Sequence, residues 1–371
     1  IMPSLVGSEM CIRDRKRGCA EGVHSLCSRL IWRPRLSYRA LDALTELERI
    51  LQLAGDRVQT RVVCEVDCRG TALPVYAIAL GNPDPQVPAI GFFGGVHGLE
   101  RIGAEVVLAY LNSIVMRLNW DHTLQRQLES LRMVFMPLVN PGGMALGTRA
   151  NPRGVDLMRN APVEAFEPVP SLVGGQRLSS RLPWYRGRAD EPMEAENLAV
   201  CAVVAQELLP RAFSMTVDCH SGFGVQDRLW FPFAHTRQAL HHLAEMYALQ
   251  RIFRQTYNHH PYVFEPQSLQ YLTHGDLWDH LYLQSREVPE RVFLPLTLEM
   301  GSWLWIKKNP RQLFSRHGIF NPLIGHRQER VLRRHLWMLD FLTRAACSAV
   351  SWVPQDSERH ALHAEALQHW Y

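Results

Sequence analysis

The chain has 371 residues, 47% hydrophobic and 20% charged, with a formal net charge of +4, a globular composition long enough for one large α/β domain or two ordinary ones. Residues 1–39 hold eight Lys/Arg against three acids and the remainder 32 against 33, so the basic excess lies in the first stretch and gives no ground for a nucleic-acid or membrane-surface partner. No run approaches the roughly 18 consecutive apolar residues of a membrane helix, and a soluble protein is expected.

In chain order, "IMPSLVGSEMCIRDRKRG" has no hydrophobic period, no turn chemistry and no apolar core of signal-peptide length. Residues 3–15 resemble a translated sequencing-adapter read. Residues 1–35 are therefore set apart as a doubtful or non-native segment, 36–347 are expected to form one domain, and 348–371 a tail or docking helix. Helical apolar spacing predicts a helix over 38–54. Strands follow at 60–67, 73–80 and 88–95, the last ("PAIGFFGG") apolar almost throughout, as for a central strand covered on both faces. A helix over 100–118 and a buried strand over 131–139 come next. The stretch to residue 192 is rich in Gly, Pro and Arg without a period, and a segment that long inside a domain is usually functional. Its Trp184, Tyr185, Arg186 and Arg188 are candidates for a substrate mouth, with surface packing as the alternative. Helices at 193–209, 236–256, 275–284 and 327–346 and strands at 213–220 and 292–300 complete an alternation that argues an α/β sandwich around a mostly parallel sheet. The eight cysteines include no C-x-x-C pair; reduced thiols and a cytoplasmic location are the simpler expectation.

Three of these strands end in metal-capable or acidic residues: His97 and Glu100 after "FFGG", His220 after "TVDC", and Glu299 in "LPLTLEMGS". Ligands of open α/β sheets bind beyond the carboxyl ends of the strands. His-x-x-Glu occurs three times, but His242/Glu245 and His326/Glu329 lie in or at the start of amphipathic helices and read as solvated surface. Only His97 follows a buried strand through two glycines, where a spacing of three turns both side chains to one side. Two histidines and one carboxylate leave the fourth position of tetrahedral zinc open, the catalytic arrangement. Asp218 lies on the strand face of His220 and is expected to orient its imidazole, unless it is a loop carboxylate in water. Apolar neighbours would raise the pKa of Glu299 into the range a general base needs, the alternative being a paired core carboxylate.

These residues resemble the zinc carboxypeptidases, the M14 metallopeptidases of the pancreatic type and their bacterial relatives. "GGVHGLERIG" is similar to the family's H-x-x-E block, "DCHSG" to its third-ligand block, and "VNPGGMALGTRANPRGVDLMRN" (139–160) to its "NPDG…GVDLNRN" segment. The likeness runs from about residue 60 to 305. It implies a three-layer α/β/α sandwich with a mixed, mostly parallel sheet, and one zinc ion held by His97, Glu100 and His220. It also implies Glu299 as general base acting on water at the metal, and Arg149 as the cation that holds the oxyanion. Arg159 and Asn160 fall on positions that bind substrate. In "YLTHGDLWD" (271–279), Tyr271 matches the mobile tyrosine that closes over substrate and Trp278 the specificity pocket, with a core aromatic as the alternative for either. Met158 stands where the family has an asparagine that shares the terminal carboxylate with the arginine, and a thioether donates no hydrogen bond.

The resemblance implies a zinc-dependent hydrolase cutting an amide near the carboxyl end of a peptide or small peptide-like substrate, such as a cell-wall fragment. An N-acyl amino acid deacylase of the aspartoacylase and succinylglutamate desuccinylase type shares the metal set and is the alternative. A zinc-holding peptide-binding protein without catalysis is the third reading; retention of Glu299 and Arg149 speaks against it.

Overall fold

Runs of four to eleven residues make the strands, and segments of six to 23 residues make the helices that cover them. The computed structural model describes residues 38–371; the adapter-like stretch lies outside the described residues. The strands are β1 (Gln59–Cys68), β2 (Thr71–Gly81), β3 (Ala89–Gly94), β4 (Arg132–Met136), β5 (Phe213–Ser221), β6 (Arg228–Phe231), β7 (Val263–Pro266) and β8 (Val292–Met300). The helices are α1 (Tyr38–Ala54), α2 (Arg101–Arg117), α3 (His122–Glu129), α4 (Pro141–Leu146), α5 (Ala195–Glu207), α6 (Leu243–Thr256), α7 (Leu277–Ser285), α8 (Trp303–Lys308), α9 (Gly325–Cys347) and α10 (Asp356–Trp370).

One sheet runs β1-β2-β4-β3-β5-β8-β6-β7. Strands β4, β3, β5 and β8 are mutually parallel, and β1, β2 and β6 join antiparallel. Every residue of β3, β4 and β5 is buried, because α2 and α9 pack on β3 and β5 while α5 and α7 pack against β1 and β8. The expected three-layer α/β/α sandwich is therefore the fold. Among the described residues no helix is long and apolar enough to cross a membrane.

Of the tail and the docking helix expected over 348–371, the structure has the helix: α10 packs on α6, Trp370 is buried and its indole donates to the Phe264 carbonyl at 2.9 Å. One helix boundary is corrected. The helix expected from residue 236 starts at Leu243, because Asp279 accepts from the backbone N–H groups of Ala234 and His235 and holds the chain off β6 in a non-helical path.

The register positions the site. His220 on β5 lies directly beside Glu299 on β8, and Gly94, the last residue of β3, beside Cys219. The parallel strands thus deliver their C-terminal residues to one edge.

Candidate metal centre and catalytic cavity

Beyond β3 the chain turns through Gly98, where a Cβ would meet the Gly143 backbone at 2.1 Å; only glycine lets the turn close on α4. That turn carries His97 to the sheet edge and sets Glu100 at the start of α2. Glu100 Oε1 lies 2.9 Å from His97 Nδ1, and its Oε2 2.9 Å from His220 Nδ1. The two Nδ1 atoms are 3.2 Å apart. All three residues are buried, and their ligand atoms fall within 4.8 Å of one another. Two imidazole nitrogens and a carboxylate converging in this way are a donor set suited to zinc.

Each imidazole turns its remaining nitrogen to a buried aspartate: His97 Nε2 to Asp156 Oδ1 at 3.0 Å, and His220 Nε2 to Asp218 Oδ2 at 2.8 Å. Such partners fix the tautomer and ring orientation of a metal-binding histidine. Asp156 does more, because its Oδ2 accepts from Arg149 Nε at 2.8 Å. Burial alone would raise the Asp156 carboxyl, but Arg149 and His97 hold it well below the usual carboxylate range. Arg149 also donates to Glu100 Oε1 at 2.9 Å, so its guanidinium is fixed beside the ligand cluster. This role of Asp156 is not legible from spacing, since its partner is 59 residues away; the signal was only its place in "GVDLMRN".

Glu299 faces the same space. It is 7% exposed, accepts the Phe223 N–H at 3.0 Å, and its carboxyl is pushed up to about 8 by burial and by the neighbouring Glu100 charge. Together with His97, Glu100, Arg149 and His220 it lines a cavity of roughly 530 Å³. Phe223, Trp230, Tyr271 and Trp303 form an aromatic wall, with ring centroids 5.2–6.1 Å apart.

The family described as zinc carboxypeptidase matches residues 71–287, a span that takes in the His97/Glu100 turn, the Arg149–Asn160 segment and His220. The chain belongs to the zinc carboxypeptidase family. Among curated relatives, it is 31% identical over 96 residues to carboxypeptidase SOL1 of Arabidopsis thaliana, an overlap of 25% of this chain and 20% of that protein. It is 26% identical over 171 residues to carboxypeptidase E of Caenorhabditis elegans (42% and 35%) and 23% identical over 193 residues to carboxypeptidase D of Anas platyrhynchos (47% and 12%). The chain thus spans well under half the length of these relatives. Among solved structures, its fold is similar to carboxypeptidase A from Helicoverpa armigera, with a TM-score of 0.61 at 14% identity, covering 85% of this chain and 74% of that one. It is also similar to bovine thrombin-activatable fibrinolysis inhibitor in complex with tick carboxypeptidase inhibitor, with a TM-score of 0.58 at 16% identity, covering 89% and 97%.

Within this zinc carboxypeptidase frame, Arg159, Tyr271 and Met158 line the cavity. Asn160 does not: its Nδ2 donates to the Arg186 carbonyl at 2.9 Å and its Oδ1 accepts the Glu194 N–H at 2.7 Å, tying the 160–192 segment to α5. Trp278 takes the core-aromatic alternative and not the specificity pocket. It lies buried against Phe93 and its indole N–H donates to Asp218 Oδ2 at 2.8 Å, behind the ligands and away from the cavity. Of the four residues expected at a substrate mouth, Trp184 lines the cavity together with Pro170 and Val173. Tyr185 bridges to Gln176 through the backbone, Arg186 is buried on Glu164 and the Arg159 carbonyl, and Arg188 is exposed beside Asp190. The long segment is thus a packed wall of the cavity.

Proposed function

We propose that this protein is a zinc-dependent hydrolase that cleaves an amide bond near the carboxyl end of a peptide or small peptide-like substrate. The observation that carries the reading is Glu299, a buried carboxylate with a raised pKa, opening into the same cavity as His97, Glu100, His220 and the fixed Arg149 cation. Zinc held by His97, Glu100 and His220 would supply a Lewis acid at the scissile carbonyl and ease deprotonation of water there. Glu299 then takes the proton from that water and hands it to the leaving nitrogen, a role suited to a carboxyl that titrates near neutrality. The Arg149 guanidinium, held by Asp156 and Glu100, meets the negative charge that develops on the carbonyl oxygen with no reorganisation. Tyr271 and Arg159 bound the space for the leaving residue.

Glu299→Gln keeps the size and the acceptor for Phe223 while removing the base. The expected result is zinc content equal to wild type with hydrolysis of a peptide pool reduced by about 10²-fold or more. Comparable turnover in the variant would remove Glu299 from the mechanism. Mass analysis of the fragment released by wild type, with a chelator-treated control, separates a carboxyl-end amino acid from a small acyl acid.

A further inference from the structure

The chain that follows Glu299 leaves the cavity and returns to it. Trp303, at the start of α8, lines the cavity, and so do Ile319 and Phe320. The stretch between them, which carries α8 and the turn Pro310–Phe314, therefore forms a lip at the mouth. Both ends are anchored: Trp303 Nε1 donates to the Gly222 carbonyl at 2.9 Å, and Ser221 Oγ to the Phe320 carbonyl at 2.7 Å. Gln312 Nε2 ties the turn to the returning chain through the carbonyls of Gly318 and Asn321, at 2.9 and 3.0 Å. From Met300 to Gln328 the sequence holds no Asp or Glu. Lys307, Lys308, Arg311 and Arg316 are all exposed, and among the described residues none of the four side chains has an ion-pair or hydrogen-bond partner. Neighbouring cations differ, since Arg228 is paired with Glu265 and Arg334 with Asp227. Four unpaired like charges on one short stretch repel one another and add nothing to stability; their use is the field they create for an anion. Beside them Phe314 is 92% exposed and Leu313 more than half exposed, so the lip offers cations and apolar surface together.

Resting on the hydrolase reading, we propose that this lip docks an acidic peptide chain, the part of the substrate on the amino-terminal side of the scissile bond. Its carboxylates meet Lys307, Lys308, Arg311 and Arg316, and an apolar side chain among them meets Leu313 and Phe314. The leaving residue occupies the side of the cavity bounded by Arg159 and Tyr271, so the rest of the chain passes out over Trp303 and Phe320 and onto the lip. Each exposed ion pair is weak, but several formed by one ligand add to about tenfold in affinity. A lipid surface also carries negative charge, and two observations favour the peptide. The Trp303 indole is held by the Gly222 carbonyl as cavity wall and is not free to enter a bilayer. Outside the first 39 residues the chain holds 32 Lys/Arg against 33 acids, so the molecule as a whole is not drawn to an extended anionic surface.

The test uses two peptides that share their carboxyl-terminal residues and differ only upstream, in a stretch of glutamate or of glutamine. Binding is measured by calorimetry on zinc-loaded Glu299→Gln protein, with and without the four substitutions Lys307→Gln, Lys308→Gln, Arg311→Gln and Arg316→Gln. Hydrolysis is measured on the same pair with Glu299 restored. The four side chains are exposed and touch no partner, so the substituted protein keeps its fold. Expected is binding of the glutamate peptide about tenfold tighter than of the glutamine peptide at low salt. That ratio should fall toward one at about 0.5 M salt and in the substituted protein, with the glutamine peptide bound alike by both. Equal binding of the two peptides, or a preference that survives the substitutions, would overturn the proposal. Sedimentation with phosphatidylcholine vesicles containing phosphatidylserine should leave the protein in solution; retention that the substitutions abolish would assign the lip to a lipid surface instead. If neither peptide is cut but the binding preference and its loss hold, the hydrolase reading fails and the docking lip stands. If both are cut and bound without preference, the hydrolase reading stands and the docking lip fails.

Discussion

At the level of single residues, the centre is built from pairs in which a buried acid faces a buried base. Trp278 is the member whose role is least expected from sequence. Its indole N–H and His220 Nε2 share one oxygen, Asp218 Oδ2, each at 2.8 Å, so the indole fixes the aspartate that fixes the imidazole. Phenylalanine at this position keeps the packing against Phe93, whose ring centroid is 5.0 Å away, but removes the donor. Outer partners of this kind typically set metal affinity by 10- to 100-fold. Trp278→Phe is expected to weaken zinc binding about tenfold in a chelator competition while leaving far-ultraviolet circular dichroism unchanged. Unchanged affinity would reduce the indole to a packing element.

At the level of elements, the decisive contact is between α2, which begins just after Glu100, and β5, which carries His220. Gly103 in the first turn of α2 allows it: a Cβ there would sit 2.1 Å from the Cys219 carbonyl oxygen. Gly103→Ala must push α2 off the strand, which typically costs about 1–3 kcal/mol, and the same displacement draws Glu100 away from His220. Urea unfolding should show the loss of stability and chelator competition a loss of zinc affinity; a shift in neither would mean that the helix absorbs a methyl group by a local bend. The same elements show what a sequence makes legible. Strands β3 and β8 were readable because the run is almost wholly apolar, and β5 because apolar residues alternate along it, and their ends exposed His97, Glu100, His220 and Glu299 as a set. Strands β6 and β7 were not, being four residues long, too short to show a period. The Asp156 link to His97 depends on a loop path that spacing does not encode. Asn160 was misplaced, and Trp278 left between pocket and core, for a related reason: a motif match assigns a position, but the start of α7 after its Asp276 cap and the anchoring of the 160–192 segment decide which side chains reach the cavity.

At the level of the whole molecule, two buried histidines couple the fold to pH. His335 on α9 is 1% exposed and its Nδ1 lies 2.8 Å from the Tyr262 hydroxyl; burial lowers it from 6.5 to about 4, against the pull of Asp227. His242, ahead of α6, is 2% exposed beside the Tyr282 hydroxyl, and burial lowers it from 6.5 to about 3. Both are neutral in the folded protein at neutral pH. As pH falls below 6.5 the unfolded chain takes up protons that the folded chain refuses, so each histidine's contribution is complete above 6.5 and drains away toward its folded value. For His335 the full loss amounts to about 3 kcal/mol. Raised carboxyls such as Glu299 and Asp276 act in the opposite sense, since their folded forms take up protons first on acidification. A comparison of wild type with His335→Gln, both metal-free, cancels those shared groups. The variant should be less stable in urea at about pH 8, and the gap should narrow by about 2 kcal/mol by about pH 5, because only wild type carries the histidine penalty. A gap that stays constant with pH would mean that His335 titrates alike in the folded and unfolded chains, and that α9 does not seal it from water.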